Sequence, residues 1–154
     1  MAGNGGLARR RAGGRLSPEA LEELVSRFQA RTLPYSEWTH HAHLSVGMWH
    51  VHRLGADEAL SRLREGIRRL NDSHGTPNSE TRGYHETITR AYVTLIAWYL
   101  AKCDGQPLAT SVASLLASPL AAKDHLLRFY SKDRLMSREA RAAWIEPDLR
   151  DLET

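Results

Sequence analysis

Apolar residues in this chain recur at helical spacing, and that period restricts the possible folds more than any other feature. Leu21, Leu24, Val25 and Phe28 follow Ser17-Pro18-Glu19, which supplies an N-cap, a proline at the first helical position and an early acid. The spacing predicts a first helix over residues 18–31. After the break TLPYS, a second runs over 37–54 and stops at Gly55. A third, capped by Asp57, covers 58–73 with Leu60, Leu63, Ile67 and Leu70 inside and Arg62, Arg64, Arg68 and Arg69 mostly outside. HGTPNSETRG, residues 74–83, has the chemistry of a loop, and a fourth helix follows over 84–102. Shorter pieces are expected at 108–117 and 119–130 and from the N-cap Ser137 to Trp144. Ala, Leu, Arg and Glu fill the chain while β-branched residues rarely cluster, so the expected fold class is all-α: a bundle of about four main helices with short C-terminal ones.

Charge divides the chain in two. The formal charge is +3, but Arg9, Arg10, Arg11 and Arg15 lie in the first sixteen residues, which hold no acid. Removing those four from 21 basic residues leaves 17 against 18 acidic ones, a balance of minus one. Residues 1–16 are therefore expected to be a disordered Arg/Gly-rich arm, and 17–154 a single helical domain. With the basicity confined to the arm, nucleic acid is not an expected partner. At 154 residues, the chain can bury roughly 70% of the surface its unfolded form exposes. It needs no disulfide, and the single Cys103 can form none within the chain. No apolar run has the length of a membrane span, and no signal-peptide pattern follows the arginines, so the expected setting is cytoplasmic.

Eight histidines are many for this length, and five of them crowd one helix. His40 and His43, three apart, are separated by about 60° around a helix and can converge on one point. His41 points elsewhere, and His50 lies about 10 Å further along the axis. The His40/His43 face continues through Gly47 and Val51, largely apolar, so two imidazoles facing the interior need partners.

GYHETITR, residues 83–90, opens the fourth helix. His85 heads the row Ile88, Tyr92, Leu95 and Tyr99, and Glu86 leads a neighbouring row. Both reach one site only at a helix terminus, where Gly83 leaves room. His85 together with His40-x-x-His43 forms a candidate three-imidazole centre for a divalent transition metal ion, Zn²⁺, Cu²⁺, Fe²⁺ or Ni²⁺, with Mn²⁺ added if Glu86 ligates. Three protein ligands leave an open position, which suits catalysis on a small-molecule substrate. Glu86 would be the base or a fourth ligand, and Tyr84, with Trp49, would wall the site. A zinc ion would favour hydrolysis or elimination, and a redox-active ion oxidation by O₂. Against this stand two plainer roles: histidines satisfied by carbonyls or carboxylates, and Glu86 as a helix-start acid interacting with the macrodipole.

The spacing W-T-H-x-x-H, then GYHETIT, then FYSKDRLMSREARAAWIEPDL resembles a family of small, mostly bacterial helical proteins to which no reaction is attached. The likeness spans residues 36–150 and carries His40, His43, Tyr84, His85, Glu86, Thr87, Tyr130, Ser131, Leu135, Ser137, Ala140, Arg141, Pro147, Asp148 and Leu149. It singles out the same three histidines. In the C-terminal part of the likeness, Ser137 and Arg141 lie about one turn apart, where a hydroxyl and a guanidinium can hold an anionic or carbonyl-bearing ligand. Alternatively, Ser137 caps a helix and Arg141 pairs with Asp148 or another acid. Two functions follow: a metal-dependent enzyme, or a non-catalytic helical binding or regulatory module with structural histidines. A bundle core rich in Leu and Ala could also dimerise.

Overall fold

Three of the long helices begin where a side chain takes up one of their first unpaired amides. The computed structural model describes residues 16–154, so apart from Leu16 the arm expected over residues 1–16 lies outside the described residues. Ser17 accepts from the amide of Ala20 at 3.1 Å and starts α1, Pro18–Gln29. Thr39 accepts from Ala42 at 3.2 Å and starts α2, His40–Leu54. Gly55, at φ 79°, ends α2 and begins α3, Ala56–Ser73. His85 caps α4, Glu86–Ala101. Then come α5, Leu108–Leu116, and the short α6, Lys132–Leu135, and α7, Arg138–Ala142. Single 3₁₀ turns lie at Tyr35–Glu37, Pro119–Ala121 and His125–Arg128. No strand occurs among the described residues, and the fold is all-α, its helices packed as a bundle.

The second helix is centred in the packing, touching α1, α3, α4 and α5. Val46, Met48, Leu70, Leu95, Ile96 and Leu115 meet there, each at most 1% exposed. Full burial of side chains of this size contributes about 1.5–3 kcal/mol each, so the long helices are held mainly by this shared core. Close approach also needs a missing side chain. A Cβ on Gly66 would lie 2.5 Å from Cζ of Phe28, which is how α1 seats against α3.

Several expected boundaries move for local reasons. The second helix starts at His40 rather than residue 37, because Thr39 takes the cap and Tyr35–Glu37 closes as a 3₁₀ turn. The helix expected over residues 119–130 is two 3₁₀ turns, with Ala122 extended at φ −65°, ψ 136°. The last helix stops at Ala142, since Ala143 is extended and its carbonyl accepts from the hydroxyl of Thr87 at 2.9 Å. No helix among the described residues is long and apolar enough to cross a membrane.

Candidate functional site

The octet GYHETITR sits where α4 begins, between α3 on one side and the C-terminal segment on the other. Its residues turn in different directions because the chain changes conformation within it. Gly83 has φ 86°, and a Cβ there would lie 2.3 Å from the carbonyl oxygen of Pro77, so only glycine fits. His85 is extended at φ −132°, ψ 109°, and helical geometry begins only at Glu86.

As a cap, the His85 ring folds back on its own helix. Its Nδ1 accepts from the amide of Ile88 at 3.1 Å, and its Nε2–H donates to the carbonyl of Leu135 at 2.8 Å. Both nitrogens are thereby occupied, and the ring is 7% exposed. Burial, then the nearby Arg141 charge, keeps the imidazole neutral to lower pH than an ordinary histidine, against the opposing pull of the Leu135 carbonyl. The expectation that His85 continues the face of Ile88 and Tyr92 is therefore corrected: a capping residue has no helical φ/ψ and lies on no helix face.

The other two imidazoles are also elsewhere. His43 is exposed and stacks on Trp38 with ring centroids 3.6 Å apart, its Nδ1–H donating to the carbonyl of Thr39 at 2.8 Å. His40 meets the edge of Tyr92 at 5.9 Å, and its buried Nε2 has no hydrogen-bond partner among the described residues. No three His, Cys, Asp or Glu side chains among the described residues are grouped so as to hold a metal ion. His40, His43 and His85 thus do not assemble into the expected ligand set. The buried histidine of α2 is instead His50, 2% exposed, with Nδ1–H donating to the carbonyl of Val46 at 2.7 Å and the ring edge-on to Phe28.

Glu86 faces α3. Its oxygens accept from Nε and Nη2 of Arg64 at 2.7 and 2.8 Å, and Oε1 also accepts from the phenol of Tyr84 at 2.7 Å. The Arg64 fork, then Tyr84, holds the carboxyl below the usual carboxylate range despite burial. Burial first, and then Glu86, pushes the Tyr84 phenol up. A carboxylate in such a clamp is a poor base, because taking a proton would cost it charge-assisted bonds. Nothing about Arg64 separates it in sequence from the other arginines of α3. Only the helix packing selects it.

Tyr84 is 5% exposed and lies beneath Arg68, whose guanidinium carbon sits 4.8 Å from the ring centroid. Beside this stack opens a cavity of about 360 Å³ lined by Arg68, Asn78, Ser79, Glu80, Tyr84, Arg141 and Ala142. Arg141 enters from α7, its Nη1–H donating to the carbonyls of Gly83 at 2.7 Å and Tyr84 at 3.5 Å. The alternative that Arg141 pairs with Asp148 is not what the fold builds, since Asp148 accepts from the amide and hydroxyl of Ser131 at 2.7 and 2.6 Å. Ser137 caps α7, accepting from the amide of Ala140 at 3.1 Å and donating to Arg134 at 2.7 Å, and does not line the cavity. Trp49 is also absent from its walls: it lies on the α1 side, its indole N–H donating to Glu22 at 3.0 Å.

Of the residues expected to form one site, Tyr84, Glu86 and Arg141 stand together, and the structure adds Arg64, Arg68, Asn78 and Ser79. An all-α bundle with an arginine-walled cavity at one helix junction is the class that fold and site define. Comparison with protein families, with curated proteins and with solved structures gave no match. The chemistry has to be read from the side chains themselves.

Proposed function

We propose that the chain is a non-catalytic helical binding module that takes a small organic anion in the cavity between α3, the loop before α4, and α7. One observation carries this reading. The guanidinium groups of Arg68 and Arg141 both line the cavity, and neither is in an ion pair with a carboxylate among the described residues. Two acids beside the cavity are already engaged. Glu86 is held by Arg64, and Glu80, itself on the wall, has Arg138 at 3.6 Å. Guanidinium is a planar donor suited to carboxylate and phosphate oxygens, and the cavity volume falls in the range of ligand sites. The groups that could perform proton transfer, Glu86 and His85, are committed to holding helices together. This supports binding over catalysis.

The test is a titration of the isotopically labelled full-length chain followed by amide chemical shifts. Benzoate and phenyl phosphate should give saturable shifts at Ser79, Glu80, Tyr84 and Ala142, and neutral benzamide none. If no anion produces saturable shifts at these positions, the reading is wrong.

A further inference from the structure

Resting on that reading, we infer that the cavity is built for a phosphomonoester rather than a carboxylate. Three separate donors converge on it from three segments: Arg68 from α3, Ser79 from the loop and Arg141 from α7. Ser79 is turned so that its oxygen accepts from the amides of Thr81 and Arg82 at 3.3 and 3.2 Å, which leaves its O–H to donate. Arg141 uses Nη1 on the backbone carbonyls, which leaves its Nε and Nη2 edge for a ligand. A carboxylate has two oxygens and satisfies one guanidinium fork. A phosphoryl group has three terminal oxygens and carries close to two negative charges at neutral pH, so it can serve both guanidinia and the hydroxyl together.

The two arginine charges match a dianion. The remaining space fixes what the phosphoryl is attached to. A cavity of about 360 Å³ exceeds a phosphate group, and its remaining walls are Asn78, Glu80, Tyr84 and Ala142, so a small organic ester fits beside the phosphoryl.

Full-length protein titrated calorimetrically with phenyl phosphate, benzoate and inorganic phosphate tests this. Phenyl phosphate should bind about ten-fold more tightly than benzoate, the effect of one additional charge-assisted contact. Its affinity should rise as pH passes upward through about 6, where the ester loses its second proton, while that of benzoate does not. Arg68→Gln, at an exposed position, should lower phenyl phosphate affinity about ten-fold. Benzoate binding as tightly as phenyl phosphate, or an unchanged affinity in Arg68→Gln, would overturn the phosphomonoester inference while leaving an anion site standing. Inorganic phosphate binding as well as the ester would remove the organic part of the inference. Absence of binding by all three would remove the anion site with it.

Discussion

Arg64 and Glu86 are coupled tightly enough that either side chain can be used to read the other. Shortening Arg64 to alanine strips two of the three hydrogen bonds from a carboxylate that is 9% exposed, leaving only Tyr84. Arg64→Ala should destabilise the protein by about 1–3 kcal/mol, the range for under-satisfying a buried acceptor, as measured by urea denaturation. Arg64→Lys should recover little of this because an ammonium cannot reproduce the two-point fork. His85 offers a sharper contrast. His85→Asn can keep an acceptor for the Ile88 amide and His85→Ala cannot, so the alanine variant should be less stable than the asparagine variant by about 1 kcal/mol. The same two variants test the metal-dependent alternative by elemental analysis. Near-stoichiometric metal in the wild type that disappears in both variants would establish His85 as a ligand, whereas the hydrogen bonds described here predict no dependence of metal content on residue 85.

The start of α4 is tied to the C-terminal segment at three alternate residues. His85 donates to Leu135, Thr87 donates to Ala143 and accepts from Ile145 at 3.2 Å, and Arg141 donates to Gly83. The octet is thus a joint: it places a helix and anchors the tail beside the cavity. Thr87→Val keeps the volume and β-branching but removes both hydrogen bonds. It should cost about 1–3 kcal/mol and increase hydrogen exchange at the Ile145 amide. Unchanged protection there would mean that the tail is held by its other contacts, among them those of Tyr130 with Ile145, Ser131 with Asp148 and Arg134 with Glu146. Much of this element order is visible in the sequence, because Ser17, Gly55 and Ser137 act locally, whereas the cap at Thr39 shortens the second helix relative to its expected start. The octet misleads because a histidine cap is indistinguishable, by spacing, from the first residue of a helical face. The 119–130 segment misleads for a related reason: its composition favours a helix, but Ala122 is extended.

Acid should destabilise the molecule over two pH ranges. Burial depresses the protonation of His40, His50, His85 and His125, so the folded chain binds fewer protons than the unfolded one just below the ordinary histidine range. The stability from keeping these rings neutral is complete above about pH 6.5 and declines as pH falls from there through their lower folded values. Glu86 shifts downward through the Arg64 fork, so its contribution is present above about pH 4.3 and is lost as pH falls through its folded pKa. Denaturation midpoints measured from pH 8 to pH 3 should fall first below pH 6.5 and again below about pH 4.3. A flat profile between pH 7 and pH 5 would show that the histidine shifts carry no net linkage.

The sequence by itself determined the all-α class, the long helices and most of their ends, because period, caps and glycines act within a few residues of where they stand. It also brought Tyr84, Glu86 and Arg141 forward as chemically interesting. Tertiary structure alone decided what those residues do. Which arginine of α3 meets Glu86, which way a capping imidazole turns, and whether His43 faces the core or solvent depend on contacts between segments distant in the chain. Spacing along one helix fixes an angle about its axis but says nothing of the neighbour that the angle meets.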